Sequence, residues 1–114
     1  MRSEDALTST RIDGDELSRR IGERLAPPII DVRTAGEFAR GHVPGAVHLP
    51  FLTTFWRARA LRFDRAAPVV VYCGHGPRAA LARLALRRAG FRHVALLEGH
   101  LAAWRRAGLP LEIG

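Results

Sequence analysis

The sequence predicts an α/β fold, with a small, mostly parallel sheet of about five strands and helices on both faces. Short apolar segments alternate with helical patterns along the chain, and this alternation requires crossover connections between parallel strands. Segments 29–32 and 69–72 are predominantly apolar, which is typical of strands buried on both faces. A chain of 114 residues can build one hydrophobic core. Residues 1–9 are polar and are expected to fray, so the predicted domain spans residues 10–114.

Five short segments have the composition of β-strands. They are rich in apolar residues and are bounded by Pro, Gly or charged residues. The predicted strands are residues 10–12, 29–32, 46–49, 69–72 and 94–97. Because ligands of parallel sheets bind outside the carboxyl ends of the strands, the segments after Val32, Leu49 and Leu97 are expected to border a site at the end of strand 69–72.

Helical patterns fill the intervals between these strands. Two helices are expected to begin with capping boxes, formed by Asp13 with Glu16 and by Thr34 with Glu37. Apolar spacing predicts which side chains face inward: Leu17, Ile21 and Leu25; Phe38; Leu52, Phe55, Trp56 and Ala60 in a helix over 51–63; Leu81, Leu84 and Ala85 after Pro77; and Leu101 and Trp104. The arginines of the first helix (Arg19, Arg20 and Arg24) are predicted to lie outside its apolar stripe.

The segment 69–78 combines a buried strand, a glycine-rich loop and the start of a helix. Backbone N–H groups of such a loop, together with the helix dipole, form an anion cradle. A thiol at its mouth is expected to ionise more readily than a free thiol. A buried structural cysteine is the alternative, but the glycines and the arginine favour a reactive one. The predicted site consists of Cys73 as nucleophile and of Gly74, His75, Gly76, Pro77 and Arg78 as its cradle.

Three stretches of the sequence resemble one known family. Residues 73–78 (Cys-Gly-His-Gly-Pro-Arg) are similar to the active loop of rhodanese-type sulfurtransferases, a Cys-x-x-Gly-x-Arg/Ser pattern. Residues 30–33, 37–38 and 41–46 resemble the family's amino-terminal signature, and residues 97–100 with Trp104 resemble its carboxy-terminal one. That last signature more often contains Gly-Gly, so His100 is a departure. The resemblance runs from about residue 11 to residue 110.

The resemblance implies a sulfurtransferase that needs no cofactor. Its cysteine thiolate, Cys73, would attack the outer sulfur of thiosulfate or of a persulfide, hold that sulfur as a persulfide and pass it to a thiophilic acceptor. Cyanide, a small thiol, thioredoxin and a cysteine of a partner protein are all possible acceptors. We expect Arg78 either to bind the sulfonate of thiosulfate or to hold the loop together, while His75 could add a switchable charge. Cys73 is expected to lie exposed, with the persulfide protected by the cradle rather than by burial.

Other polar and aromatic residues are predicted to have structural roles. Asp31 and Arg33 are expected to support the site, because an Asp at a strand end commonly binds loop N–H groups and Arg33 would pair with it or with Glu37. The remaining structural assignments are hydrogen-bonded roles for His42 and His48, and core or pocket-wall positions for Trp56 and Trp104. One cysteine and scattered histidines lack the spacing of metal ligands, so no metal site is predicted.

Three alternatives to an active sulfurtransferase remain. Cell-cycle dual-specificity phosphatases and certain arsenate reductases resemble this family but have a loop one residue longer than the one from Cys73 to Arg78, and a shorter cradle suits a sulfur atom better than phosphate. Many rhodanese-like domains have lost the cysteine and are binding or regulatory modules, whereas this chain retains it. A sulfur carrier dedicated to one partner would use thiosulfate poorly.

Composition bears on partners and location. The net charge of +7 could indicate nucleic-acid binding. However, all 18 basic residues are Arg and they are dispersed along the chain, which favours solvated helix faces and predicts no nucleic-acid partner. The sequence has no signal-peptide pattern and no apolar run of membrane-spanning length, and a single cysteine allows no internal disulfide. We therefore predict a cytoplasmic protein without a membrane partner.

Overall fold

A five-stranded parallel sheet organises the chain. The structure is a computed structural model and describes residues 10–114, so the predicted frayed tail at 1–9 lies outside the described residues. Neighbouring strands are all parallel, in the order β1-β5-β4-β2-β3. The strands are β1 (Arg11–Ile12), β2 (Ile29–Asp31), β3 (Val47–His48), β4 (Val69–Tyr72) and β5 (Val94–Leu97). The predicted α/β fold with about five strands is confirmed.

Helices cover both faces of this sheet. One buried apolar cluster packs residues of the sheet against α4 and the segment before β4, and the other packs them against α1 and α5. The helices are α1 (Gly14–Gly22), α2 (Ala35–Arg40), α3 (Thr54–Arg57), α4 (Pro77–Arg88) and α5 (His100–Arg106), and the 3₁₀ turns Phe51–Thr53 and Ala58–Ala60 flank α3. Within residues 10–114, no helix has the length and apolar character needed to cross a membrane.

The central strand β4 contributes to both clusters. Val69 and Val71 belong to the cluster under α4, whereas Val70 and Tyr72 belong to the opposite one, as the alternation of side chains along a strand requires. All four residues are buried. Cys73 follows β4 directly and continues the alternation into the α4 cluster, which places its side chain at the carboxyl edge of the sheet.

Both predicted helix starts form, but only one of the two predicted capping boxes is complete. The side chain of Asp13 accepts a hydrogen bond from the N–H of Glu16 at 2.7 Å, although Glu16 turns its own carboxylate to arginines of α1. Thr34 and Glu37 form a complete capping box, in which each side chain accepts from the other residue's backbone N–H. The second box rigidly positions the Glu37 carboxylate near the carboxyl edge of the sheet.

The predicted helix over 51–63 is wrong. Only one turn of α-helix forms, between two 3₁₀ turns, because the hydroxyls of Thr53 and Thr54 bond the carbonyls three residues back and tighten the backbone. Its inward face is also different, since Thr54 and Ala58 are buried. The residues predicted to face inward are exposed: Leu52, Phe55, Trp56 and Ala60. Trp56 is 63% exposed and therefore lies outside the core, whereas Trp104 is buried as predicted.

Helix α4 faces the sheet mainly with alanines. Leu81 and Leu84 are 50% and 55% exposed, so their predicted inward orientation is wrong. The buried residues of α4 are Ala79, Ala82, Ala85 and Leu86. Small side chains let the helix lie close to β4.

Two predictions about α1 are also wrong. The helix ends at Gly22, and Arg24 turns the chain with a φ of +59°, so Leu25 lies beyond the apolar stripe and is 63% exposed. Arg20, predicted to lie outside the stripe, is only 4% exposed. Its guanidinium pairs with Glu16, and the side chain is only 5% exposed, so the charged group is covered together with its stem.

Candidate active site

The loop between β4 and α4 encloses the sulfur of Cys73. The backbone N–H of Gly76 donates a hydrogen bond to the Sγ atom at 3.0 Å. Gly76 has a φ of +130°, which residues with side chains rarely adopt. Pro77 is the first residue of α4, where its missing N–H costs nothing. The segment thus has the form of an anion cradle, with an N–H group directed at the sulfur.

Cys73 is fully buried, and the prediction of an exposed nucleophile is wrong. Its exposed fraction is 0%, and it packs in the same apolar cluster as Val32 and Ala79. The cause is its place at the end of the central strand, where α4 covers one side and the start of α5 contacts its backbone. The remaining loop residues are more accessible: His75 and Pro77 are exposed, and Gly74, Gly76 and Arg78 are partly buried.

The start of α5 holds the other side of the loop. The N–H of Leu101 donates to the carbonyl of Cys73, and the N–H of Ala102 donates to the carbonyl of Gly74, both at 3.1 Å. The N–H of Cys73 donates to Nδ1 of His100 at 3.2 Å. His100 was not among the predicted site residues. The available signal was its departure from the Gly-Gly pattern of the family's carboxy-terminal signature.

Arg78 is bound by Glu37, a contact that the sequence analysis did not predict. The guanidinium donates to both carboxylate oxygens of Glu37, at 2.8 and 3.1 Å, and Thr34 holds the same carboxylate through its N–H and hydroxyl. The hydrogen bond from Arg78, the largest cause, together with those from Thr34 lowers the pKa of Glu37 from 4.5 to about 2. Of the two roles expected for Arg78, the structure provides contacts for holding the loop; sulfonate binding stays a prediction.

Asp31 and Arg33 form a buried ion pair at the end of β2. The carboxylate of Asp31 accepts from the backbone N–H of Arg33 at 2.9 Å and from its Nη2 at 2.7 Å. Nη2 also donates to the carbonyl of Gly41 at 2.7 Å. Arg33 therefore pairs with Asp31 rather than with Glu37, and the pair ties the end of β2 to the turn after α2.

Histidines and a tyrosine complete the packing beside this pair. The ring nitrogens of His42 and His48 lie 2.9 and 2.7 Å from the carbonyls of Phe38 and Arg33, which confirms their hydrogen-bonded structural roles. The hydroxyl of Tyr72 accepts from a backbone N–H at 3.0 Å. Burial, reinforced by Asp31, raises the pKa of Tyr72 well above its ordinary value, so this hydroxyl stays neutral.

Two cavities flank the loop. One, of about 320 Å³, is bordered by Arg11, His75, Gly76 and His100. The other, of about 240 Å³, has mainly apolar walls formed by Val32, Phe51 and Leu52, with Arg33 and Arg78 at its edge. A larger cavity, of about 430 Å³, is lined by residues that include Pro28 and Pro44, and none of its lining residues is a cysteine. Among residues 10–114, no group of three or more His, Cys, Asp or Glu side chains could hold a metal ion.

The geometry of the loop suits a compact sulfur anion. The N–H of Gly76 stabilises negative charge on Sγ, and the α4 N-terminus adds partial positive charge. Arg78 supplies a full positive charge close enough to interact electrostatically with Cys73. With no second cysteine in the chain, a sulfur atom attached to Cys73 would have no internal thiol to remove it.

Comparison with known proteins identifies the family to which the chain belongs. The model of the rhodanese-like domain matches residues 13–107, and the chain therefore belongs to the rhodanese-like domain family. It is 36% identical over 100 residues to a sulfurtransferase from Allochromatium vinosum, covering 88% of this chain and 92% of that protein. It is 33% identical over 90 residues to thiosulfate sulfurtransferase GlpE from Vibrio cholerae serotype O1, covering 79% and 83%.

Solved structures support the same assignment. The solution NMR structure of the rhodanese-like domain from the Anabaena Alr3790 protein superimposes with a TM-score of 0.80 at 32% identity, and the match covers 93% of this chain and 80% of that one. Together, the family match and these relatives support sulfur transfer as the general class of activity.

Proposed function

We propose that this protein transfers a sulfane sulfur from thiosulfate or a persulfide to a thiophilic acceptor through a persulfide on Cys73. The observation that best supports the proposal is the 3.0 Å hydrogen bond from the Gly76 N–H to the Sγ of Cys73. A cradle closed this tightly around sulfur favours a sulfur anion over a bulkier tetrahedral phosphate. Thiosulfate is the proposed donor because a relative of similar length is named a thiosulfate sulfurtransferase.

The reaction balances as two nucleophilic displacements. In the first, the Cys73 thiolate attacks the outer sulfur of thiosulfate, a new S–S bond forms, the old one breaks, and sulfite leaves with the bonding electron pair. In the second, the acceptor attacks the outer sulfur and returns an electron pair to Sγ as thiolate. Cyanide would yield thiocyanate, whereas a small thiol, thioredoxin or a partner-protein cysteine would yield a new persulfide.

The burial of Cys73 adds a requirement to this scheme. In the described arrangement Sγ is covered, so the donor must displace part of the loop or its surroundings to reach it. His75 and Pro77 are the exposed residues of the loop, so the outer rim of the loop is the part that a donor meets first. After transfer, the covered position shields the persulfide from solvent and from oxidants.

Mass spectrometry of the intact protein tests the proposal. Incubation with thiosulfate alone is expected to add the mass of one sulfur atom, and cyanide or a dithiol is expected to remove it. The Cys73→Ala variant should gain no mass. Turnover with cyanide in the absence of any sulfur adduct would exclude the persulfide scheme.

A parallel assay addresses the phosphatase alternative. Hydrolysis of a phosphate ester by the same preparation should be negligible and should not depend on Cys73. Cysteine-dependent phosphate release without sulfur loading would favour that alternative. A cytoplasmic location and the absence of nucleic-acid and membrane partners stay predictions.

A further inference from the structure

Among residues 10–114, His100 is the one side chain outside the loop that is hydrogen-bonded to the backbone of Cys73. It is 8% exposed, and its Nδ1 accepts from the Cys73 N–H at 3.2 Å. Its ring also lies against Gly76: a Cβ placed on that glycine would stand 3.2 Å from Nε2. The imidazole therefore contacts both the residue that carries Sγ and the residue whose N–H binds Sγ.

This contact defines the protonation state of the ring. A backbone N–H can only donate, so Nδ1 must carry a free lone pair, and the neutral ring holds its proton on Nε2. Protonation of Nδ1 would place two donors face to face and break the bond. The buried Cys73 N–H would then lose its acceptor, and such losses destabilise the local arrangement.

The surroundings of His100 favour the neutral ring. Burial is the main cause that lowers the pKa of His100 below 6.5, and the nearby charges of Arg11 and His75 lower it further. The charged and titratable groups around the ring are Arg11 on β1, His75 and Cys73 in the loop, and Glu98, which follows β5 and borders the same cavity. Glu98 is exposed, so water screens its opposing influence.

The backbone of His100 shows that the position is constrained. Its φ is +54°, a left-handed conformation that suits glycine and that few other residues adopt. A residue other than glycine persists at such a position where contacts with the surrounding structure hold it. The hydrogen bond to Cys73 and the packing on Gly76 are those contacts.

We propose that His100 is a positioning residue for Cys73: its neutral imidazole anchors the backbone amide of the nucleophile, and protonation of the ring releases that anchor. The inference rests on the proposed function, because the step it governs is sulfur loading of Cys73. A loop released from this anchor holds Sγ less well beneath the Gly76 N–H, and small misplacements of a reacting group slow a reaction substantially.

Two substitutions separate the hydrogen bond from the backbone constraint. His100→Gly suits the left-handed backbone but removes the acceptor. His100→Asn tolerates that backbone, offers Oδ1 as an acceptor, and cannot be protonated. His93→Asn is the matched control. His93 immediately precedes β5, whereas His100 lies beyond the other end of this strand.

The first measurement is the rate of sulfur loading from thiosulfate, followed by mass. At about pH 8, His100→Gly should load roughly tenfold more slowly than wild type, whereas His100→Asn should retain most of the rate. Because burial lowers the pKa of His100 below 6.5, the wild-type rate should fall relative to that of His100→Asn only in the lower part of the range from about pH 8 to about pH 5, and the His93→Asn control should follow wild type. Loading by His100→Gly at the wild-type rate, or an unchanged wild-type to His100→Asn ratio over this range, would overturn the inference.

The second measurement does not depend on sulfur transfer. Long-range ¹H–¹⁵N NMR should show the His100 proton on Nε2, and amide exchange at Cys73 should be about tenfold faster in His100→Gly than in His100→Asn. A proton on Nδ1, or equal exchange in the two variants, would overturn the anchor. If wild type loads no sulfur while tautomer and exchange behave as expected, the proposed function fails and the anchor stands.

Discussion

Replacing Glu37 by glutamine distinguishes the two roles open to Arg78. In the structure both donor nitrogens face the Glu37 carboxylate, and Glu37 is itself fixed by the capping box of α2. We expect Arg78 to shape the loop. Glu37→Gln and Arg78→Ala should then slow sulfur loading to a similar degree, about tenfold, with thiosulfate and with an uncharged donor such as an organic trisulfide.

The contribution of this ion pair to stability follows from the pKa of Glu37 and from the exposure of the two side chains. The fall in the pKa of Glu37 from 4.5 to about 2 corresponds at most to about 3 kcal/mol. The side chains of Arg78 and Glu37 are 35% and 29% exposed, so solvent screening reduces the expected coupling to about 1 kcal/mol. Because the folded-state pKa is lowered, this stabilisation is present above pH 4.5 and is lost as the pH falls towards 2.

A double-mutant cycle measures the coupling. Urea unfolding of wild type, Glu37→Gln, Arg78→Ala and the double variant gives the interaction free energy near neutral pH, and loading rates are measured on the same four proteins. Arg19→Ala is the control, because Arg19 also pairs with a glutamate but lies on α1. The reasoning is refuted if Glu37→Gln loads sulfur from thiosulfate at least as fast as wild type while Arg78→Ala fails, since a released guanidinium would then be binding the donor.

Three further predictions concern the loop and its supports. Cys73→Ala should keep the fold and lower the free energy of unfolding by about 1 kcal/mol, because a buried sulfur leaves only a small cavity; a loss of cooperative urea unfolding would contradict this. Gly99→Ala should lower the free energy of unfolding by roughly 2 kcal/mol more than Gly108→Ala in the same assay. The two glycines have similar positive φ, but a Cβ at Gly99 would stand 2.4 Å from the methyl group of Ala103, whereas one at Gly108 would have no atom within 4 Å. One glycine inserted between Gly74 and Gly76 should widen the cradle and lower the ratio of sulfurtransferase to phosphatase activity; an unchanged ratio would show that loop length does not discriminate.

Local sequence chemistry predicted the parts of the fold that depend on neighbouring residues. Strands β2, β4 and β5 lie within one residue of their predicted bounds, because runs of β-branched and apolar residues are specific to buried parallel strands. The cap formed by Thr34 and Glu37 is likewise complete within four residues. The cradle at residues 73–78 could be predicted for the same reason, because its glycines, proline and cysteine act on the backbone of neighbouring residues.

Features set by tertiary packing could not be predicted in this way. Leu81 and Leu84 have the spacing of a buried stripe, yet the close approach of α4 to the sheet selects alanines. The Arg78–Glu37 pair joins residues 41 positions apart, and a single sequence gives no indication of which of its many charges meet. The burial of Cys73 also depends on a distant segment, the start of α5.

Two features of the site were not predicted: the burial of Cys73 and the hydrogen bond from its N–H to His100. They have a common physical cause. Hydrogen bonds and nearby charges act on a sulfur atom most strongly where water is excluded, and at the end of the central strand Sγ is fully buried. Exclusion of water in turn requires that the backbone of Cys73 find its partners inside the protein. α5 supplies two N–H donors for the carbonyls of Cys73 and Gly74, but a helix start has no acceptor to offer the Cys73 amide. The His100 ring supplies that acceptor through Nδ1. Burial of the nucleophile and the histidine in place of glycine are thus two parts of one arrangement.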